Sequence, residues 1–298
     1  MKVSNTLFTV VVIVVMISLL CISFYPSVQD YMATNNMWNG MRDFSDEFNA
    51  REIDSLDELP SLPRETTLML IPYIELSDED VSKVKRFLND GGILLLADDY
   101  GYGNNVLEYL ELSLRFSNAA LLDPLFCYKN QRMPRVTDFI PEVEESGIQV
   151  VMLNHGTALT GVDEAKVIAW SSSNSFLDVN GDESRNTDEP GGPFPIAARY
   201  RFGKGTVVIV SDPSIMINSV VSRDDNYSFI EYLTSPDGQQ SSILIDTSHL
   251  TKAPLDVSKT MLTDIREVIS SPYALLGIVA LVCAIVFRYT LKEETTSG

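Results

Sequence analysis

Polar side chains follow several short apolar runs of this chain and form the first candidate site. The runs end at Ala97, Leu153 and Val210, and polar residues come directly after each of them. Such runs are typical of buried strands. The carboxyl ends of parallel strands meet at one edge of a sheet, where α/β proteins bind ligands. The sequence therefore predicts a ligand crevice formed by Asp98, Asp99, Tyr100, Asn154, His155 and Asp212.

No nucleophile motif accompanies these crevice residues. Cys127 lies in DPLFCYKNQRMP rather than in a tight strand-to-helix turn, and Ser214 has no obvious base. His155 follows a strand, where it suits either a catalytic base or a turn histidine with local hydrogen bonds. Asp98 and Asp99 are able to serve in acid–base chemistry, but adjacent carboxylates after a strand also accept hydrogen bonds from turn amides. The sequence predicts no catalytic residue, and a hydrolase-like enzyme stays as an alternative.

A second candidate site is the acidic segment DVNGDESRNTDE, residues 178–189. Side chains that carry oxygen recur at positions 1, 3, 5, 7, 9 and 12 of the segment, which is the ligand spacing of an EF-hand calcium loop. Position 6 is Glu183 instead of glycine, so Glu183 is expected to adopt a backbone conformation that glycine takes freely. A weak Ca²⁺ site and a solvated acidic loop both stay open. The predicted ligands are Asp178, Asn180, Asp182, Ser184, Asn186 and Glu189.

Alternating strand and helix patterns position these residues. The segment Ser77–Gly92 reads as a helix that Ser77 caps, and it lies between two buried strands. Strand–helix–strand order with continuous apolar strands predicts an α/β fold, with a mostly parallel sheet and helices on both faces. Five central strands are predicted in one sheet: Thr67–Pro72, Ile93–Ala97, Gln149–Leu153, Val167–Trp170 and Val207–Val210. The last belongs to a hairpin that turns at Gly203-Lys204-Gly205.

Two uncharged apolar runs, Thr6–Tyr25 and Ser270–Phe287, bracket the chain. Each is about 27–30 Å long as a helix, which matches the hydrocarbon thickness of a bilayer. The first suits an uncleaved anchor or a signal peptide, and the second suits a membrane span or a buried core helix. Lys2, Arg288 and Lys292 favour both termini in the cytoplasm, because positive residues stay on that side. The expectation is a two-pass membrane protein whose central domain is extracytoplasmic.

Charge and cysteine content exclude several classes of function. The chain has a net charge of −19, which opposes binding to nucleic acid. Cys21 and Cys283 lie in the apolar runs, so Cys127 has no partner for an internal disulfide in the central segment. Two histidines and one cysteine are too few for the usual zinc sites.

The segment Asn226-Tyr227-Ser228 is a glycosylation sequon.

The sequences GGILLLADDYGYGNN and SNSFLDVNGDE…GPFPIAARYRFGKGTVVIVSDPS resemble a membrane-anchored family, domain of unknown function number 4350. The resemblance covers Leu68 to Leu233. It implies a flavodoxin-like fold of the class I glutamine amidotransferase type, and it implies a MoxR-type ATPase and other membrane proteins as partners. The predicted organisation is an anchor at 1–25, an irregular linker at 26–66, the α/β domain at 67–240, a linker at 241–269, a transmembrane helix at 270–289 and a cytoplasmic tail at 290–298.

These observations predict a non-catalytic interaction or scaffold subunit of a membrane assembly, held in the lipid bilayer by two helices. The alternative is an extracytoplasmic module that binds a small ligand or Ca²⁺ in its crevice or acidic loop.

Overall fold

The computed structural model describes residues 2–235, 241–273, 276, 277 and 280. The chain forms two compact units, residues 1–25 with 252–298 and residues 26–251. The first contains helix α1 (Lys2–Phe24) and a later helix, Pro254–Ser270. Within the described residues one segment, Thr6–Phe24, is long and apolar enough to cross a membrane, and it lies exposed. A helix of this length and composition is compatible with a membrane anchor or a signal sequence. Most of the predicted span at 270–289 lies outside the described residues.

The second unit carries the sheet and the candidate sites. Its helices are α2 (Arg42–Phe48), α3 (Asp78–Asn89), α4 (Asn104–Tyr109), α5 (Pro141–Glu145) and α6 (Asn226–Thr234), and the helix Pro254–Ser270 of the first unit is α7. Its strands are β1 (Arg51–Ile53), β2 (Thr66–Leu70), β3 (Ile93–Ala97), β4 (Arg115–Phe116), β5 (Ala120–Leu122), β6 (Arg135–Val136), β7 (Asp138–Phe139), β8 (Val151–Met152), β9 (Leu159–Thr160), β10 (Val167–Trp170), β11 (Phe176–Asp178), β12 (Pro195–Phe202), β13 (Gly205–Val210) and β14 (Ser242–Asp246).

Eight strands form the central sheet in the order β1-β14-β2-β3-β13-β12-β10-β7. The pairs from β1 to β13 are parallel, and those from β13 to β7 are antiparallel. The prediction of a mostly parallel α/β sheet is therefore confirmed. The order differs from the 2-1-3-4-5 order of flavodoxin-like sheets, because the last strand, β14, lies between β1 and β2.

Both faces of the sheet are covered, which explains why its central strands are apolar throughout. Alternate residues of a strand point to opposite faces. In β3, Leu94 and Leu96 pack in the core beneath α3 and α4, whereas Leu95 and Ala97 pack in the core that contains α6. The strands β2 and β13 divide their side chains in the same way. Ser77 caps α3 by accepting a hydrogen bond from the Asp80 N–H, as the sequence predicts.

The compact unit is wider than the predicted α/β domain at 67–240. The segment 26–66, predicted as an irregular linker, supplies α2 and the edge strand β1. The segment 241–269, also predicted as a linker, begins with β14, which pairs with β1 and β2. Residues 26–66 and 241–251 are therefore part of the unit that carries the sheet, whereas residues 252–269 belong to the first unit.

The predicted central strand Gln149–Leu153 is wrong. In this segment β8 pairs with β6 in a separate two-stranded sheet. Side chains form the hydrogen bonds to backbone groups that a neighbouring strand would otherwise form. Asp225 accepts hydrogen bonds from the Gln149 and Val150 N–H groups, and Asn226 bonds both the N–H and the carbonyl of Met152. The segment is apolar because it is buried, but it is not in the central sheet.

Candidate functional site

A cleft lies at the carboxyl ends of β2, β3 and β13, where parallel α/β sheets bind ligands. Its volume is about 190 Å³. Four of the predicted crevice residues line it, namely Asp99, Tyr100, Asn154 and His155. The other two, Asp98 and Asp212, are buried next to this edge and bond backbone groups. The structure therefore separates the six predicted residues into a lining set and a supporting pair.

Asp98 holds the turn that follows β3. Its Oδ1 accepts hydrogen bonds from the N–H groups of Tyr100 and Gly101 at 2.8 and 3.1 Å, and its Oδ2 accepts one from Gly103 at 2.7 Å. Gly101 has a φ of +89°, which L side chains rarely adopt. Burial raises the pKa of Asp98, although the three backbone donors act in the opposite direction. Asp98 is a structural residue that fixes where Asp99 and Tyr100 lie.

Asp212 has the same kind of role at the end of β13. Its two carboxyl oxygens accept hydrogen bonds from the N–H groups of Asn154 (2.5 Å) and Ser214 (2.8 Å). The side chain is fully buried, and burial raises its pKa to about 7. Asp212 thereby joins the loop that carries Asn154 and His155 to the sheet edge.

Asp99 differs from its two neighbours because its side chain lines the cleft. Its Oδ1 is shielded from solvent and has no hydrogen-bond partner among the described residues. Burial, with smaller contributions from the negative charges of Asp212 and Asp98, raises the pKa of Asp99 to about 8. A buried polar atom without a partner costs free energy, so such atoms are rare in folded proteins. This carboxyl oxygen is therefore the strongest candidate for contact with a ligand.

His155 and Asn154 form the opposite lip of the cleft. His155 has a φ of +63°, and its Nδ1 lies 3.1 Å from the Oδ1 of Asn154. Burial and the positive charge of Arg132 lower the pKa of His155, which favours the uncharged ring. Ser214 Oγ lies 3.2 Å from the hydroxyl of Tyr31. Cys127 lies elsewhere, in a β-bridge with Pro134.

Sequence reasoning predicted Tyr100 but missed the other aromatic side chains that line this cleft. Tyr31 and Trp38 come from the segment predicted as a linker, and Tyr73 follows β2. Their segment is held by Asn218, whose side-chain nitrogen donates to the carbonyls of Asn35 and Met37. These bonds join residues more than 180 positions apart, so no local pattern reveals them. The closely spaced aromatic and Asn residues of DYMATNNMWN are the one signal that the sequence offers.

Comparison with known proteins identifies the family of this domain. A family model described as domain of unknown function DUF4350 matches residues 34–234, about two thirds of the chain. The chain belongs to the DUF4350 family. No curated protein matches its sequence. The match begins within the segment predicted as a linker, so the DUF4350 region includes the Trp38 side of the cleft.

Solved structures are similar to parts of this chain at low identity. The mmIFT52 N-terminal domain has a TM-score of 0.52 at 14% identity, over 71% of this chain and 94% of that one. A beta-galactosidase from Bacillus circulans sp. alkalophilus gives 0.36 at 12% identity, over 59% of this chain and 23% of that one. The exo-beta-1,4-mannosidase Op5Man5 from Opitutaceae bacterium strain TAV5 gives 0.29 at 10%, over 62% and 26%. At these identities the mmIFT52 likeness shows the fold alone.

The acidic loop of the DUF4350 domain bonds its own backbone. Asp178 is buried and accepts hydrogen bonds from the N–H groups of Gly181, Asp182 and Glu183. Glu189 accepts from Val179 and Asn186, while the side-chain amides of Asn180 and Asn186 donate to Asp182. Ser184 Oγ donates to the Asp182 carbonyl. Glu183 has a φ of +60°, as expected for a residue where the loop needs glycine.

Calcium binding by this loop stays a prediction. Within the described part of the chain, no three His, Cys, Asp or Glu side chains form a group that could hold a metal ion.

Replacing Asp178 by Ala tests the loop. The N–H groups of Gly181 and Glu183 lose their acceptor, whereas the Asp182 N–H keeps Asn180 Oδ1, so we expect the free energy of unfolding to fall by about 2 kcal/mol. Thermal unfolding with and without millimolar calcium is the measurement, and Asp188→Ala, an exposed change in the same loop, is the control. An equal loss in both conditions indicates a purely structural loop. A loss that grows in calcium supports an ion site.

Proposed function

We propose that this DUF4350 protein is a membrane-tethered, non-catalytic recognition subunit that binds a ligand in the cleft at its sheet edge. One observation carries the proposal, the Asp99 carboxyl oxygen, which is buried in the cleft beside aromatic rings and has no partner among the described residues. Keeping such an atom costs stability, and strained or unsatisfied groups concentrate at functional sites. A ligand that binds Asp99 supplies the missing partner.

Contacts within the cleft support a non-catalytic role. Ser214 is engaged with Tyr31, and the ring of His155 lies against Asn154. A hydrolase-like enzyme is the second candidate, because Asp99 and Asp212 both have raised pKa values, of about 8 and about 7. Paired carboxyls with such values suit acid–base catalysis. Both oxygens of Asp212 accept backbone hydrogen bonds, however, so Asp99 alone of this pair is available to a substrate.

The tether is proposed from the apolar helix Thr6–Phe24. A two-pass topology with an extracytoplasmic domain is the arrangement that Lys2, Arg288 and Lys292 favour. The family resemblance adds a MoxR-type ATPase as the proposed partner in the membrane assembly. Recovery of such an ATPase with the tagged full-length protein from native membranes supports this partner. Repeated recovery without it removes the partner from the proposal.

Ligand recognition is tested by what the protein carries out of its native membrane. We expect full-length protein purified in a maltoside detergent to release one compound on denaturation, detected by mass spectrometry. Tyr100→Ala removes a cleft wall and is expected to lose the compound. Tyr109→Ala, a matched change on α4 away from the cleft, keeps it. Protein that carries no compound, or a Tyr100→Ala variant that carries as much as the unmodified protein, contradicts the proposal.

A further inference from the structure

The cleft has the charge of a cation site. It is lined by Asp30, Tyr31, Trp38, Asn39, Tyr73, Asp99, Tyr100, Asn154, His155, Ser214 and Ile217. These described lining residues include two carboxyls and neither Lys nor Arg. The lowered pKa of His155 favours its uncharged form. An anionic ligand would meet carboxyls with no opposing charge, so the lining selects against anions and favours a positive group.

Three tyrosine rings form a continuous wall of the cleft. The ring centroids of Tyr31 and Tyr73 are 5.7 Å apart with the planes at 45°, and those of Tyr73 and Tyr100 are 5.4 Å apart at 54°. Trp38 adds an indole that is 67% exposed. Aromatic ring faces carry negative charge density and attract cations within about 6 Å. All three tyrosines line the cleft, so a cation that enters it lies close to aromatic rings.

Asp99 supplies the counter-charge beside this wall. Asp98 and Asp212 use both carboxyl oxygens in backbone hydrogen bonds, whereas Asp99 Oδ1 has no partner among the described residues. A metal ion is a poor occupant because, in the described chain, no three acidic, His or Cys side chains are grouped so that they could hold one. An organic cation needs a single carboxylate and aromatic faces, which is what the cleft provides.

We propose that the cleft binds a small organic ammonium ion, with its positive nitrogen between the tyrosine wall and the Asp99 carboxylate. This inference rests on the proposed function and names the class of ligand. The volume of about 190 Å³ limits the ligand. A cavity of about 150 Å³ holds benzene, so the cleft suits an ion with few more heavy atoms.

Choline and its uncharged isostere 3,3-dimethylbutan-1-ol are the probes. Full-length protein in a maltoside detergent, free of choline lipids, is titrated with each by calorimetry. We expect choline to bind at least about tenfold more tightly than the alcohol, which corresponds to about 1.4 kcal/mol. Asp99→Asn is expected to abolish this preference. Tyr100→Leu is expected to weaken binding of choline, and Tyr109→Leu, the matched change on α4 away from the cleft, is expected to keep the affinity.

The outcomes separate this inference from the proposed function. Equal affinity for choline and the alcohol overturns the inference that the ligand is a cation, but it leaves the proposal that the cleft binds a ligand. Binding of neither probe, with a compound still recovered from native membranes, overturns the ammonium class alone. Choline binding that survives Asp99→Asn and Tyr100→Leu unchanged places the cation elsewhere and overturns the inference.

Discussion

Replacing Asp99 by Asn is expected to stabilise the protein at high pH. The folded-state pKa of Asp99 is about 8, and an unfolded aspartate has a pKa near 3.9. The native state therefore keeps a proton that the unfolded chain releases, so this group lowers stability as the pH rises from about 4 to about 8. An asparagine at this position does not ionise and carries no such penalty. We expect the free energy of unfolding of Asp99→Asn to match that of the unmodified protein near pH 4 and to exceed it by about 5 kcal/mol at pH 9.

The neighbouring Asp98 provides a matched control for this measurement. Its two oxygens accept three backbone hydrogen bonds, and an amide group has a single oxygen. Asp98→Asn is therefore expected to lower stability by about 1–3 kcal/mol throughout the pH range. Urea unfolding at pH 4, 6 and 9 compares the two variants. If Asp99→Asn also destabilises the protein at pH 9, then Asp99 is a structural residue, and the cleft has no unpartnered carboxyl oxygen for a ligand.

Replacing Asn226 by Ala is expected to have a comparably large effect, of opposite sign. The side chain of Asn226 is fully buried, accepts from the Met152 N–H and donates to the carbonyls of Met152 and Val220. Without it, the N–H and the carbonyl of Met152 lose this partner in the core, whereas the Val220 carbonyl keeps its hydrogen bond from the Arg223 N–H. We expect the free energy of unfolding to fall by about 3–4 kcal/mol, measured by urea unfolding.

The sequon at Asn226 makes the choice of control important. A glycan attaches to the same side-chain nitrogen that donates to Met152 and Val220, so the folded protein does not present it for modification. Ser228→Ala removes the sequon but leaves all three bonds in place, and Ser228 is exposed. We expect Ser228→Ala to keep full stability. A loss as large as that of Asn226→Ala shows that modification, rather than hydrogen bonding, accounts for the effect.

Much of the sheet edge could be predicted because its signals are local. The strands β2, β3 and β13 are short apolar runs, and each is followed by the polar residues that the sequence singled out. The cap of α3 and the positive φ of Glu183 also follow from single residues and their spacing. A parallel sheet brings strand ends together, so local runs were sufficient to predict four residues that line the cleft.

The remaining features depend on contacts between distant parts of the chain. Trp38 and Tyr31 lie in the cleft because Asn218 holds their segment, and the spacing between them carries no such information. Edge strand β1 has three residues, too few for a periodic pattern, and it pairs with a strand almost 200 residues later. The segment Gln149–Leu153, which contains β8, is the opposite case. It is apolar because it is buried, and its apolar pattern alone resembled that of a central strand.

Proton release on ligand binding tests most directly whether Asp99 is the counter-charge of a cation. The charged and titratable groups around Asp99 are Asp98, Asp212, Asp30, Tyr31, Tyr73, Tyr100 and His155. At pH 7 a carboxyl with a pKa of about 8 is mostly protonated, and a bound cation favours its ionised form. Calorimetry with choline in two buffers of different ionisation enthalpy counts the protons exchanged. We expect release of close to one proton per choline at pH 7 and none in Asp99→Asn. Choline binding that releases no proton from the unmodified protein, or the same number from Asp99→Asn, would contradict it.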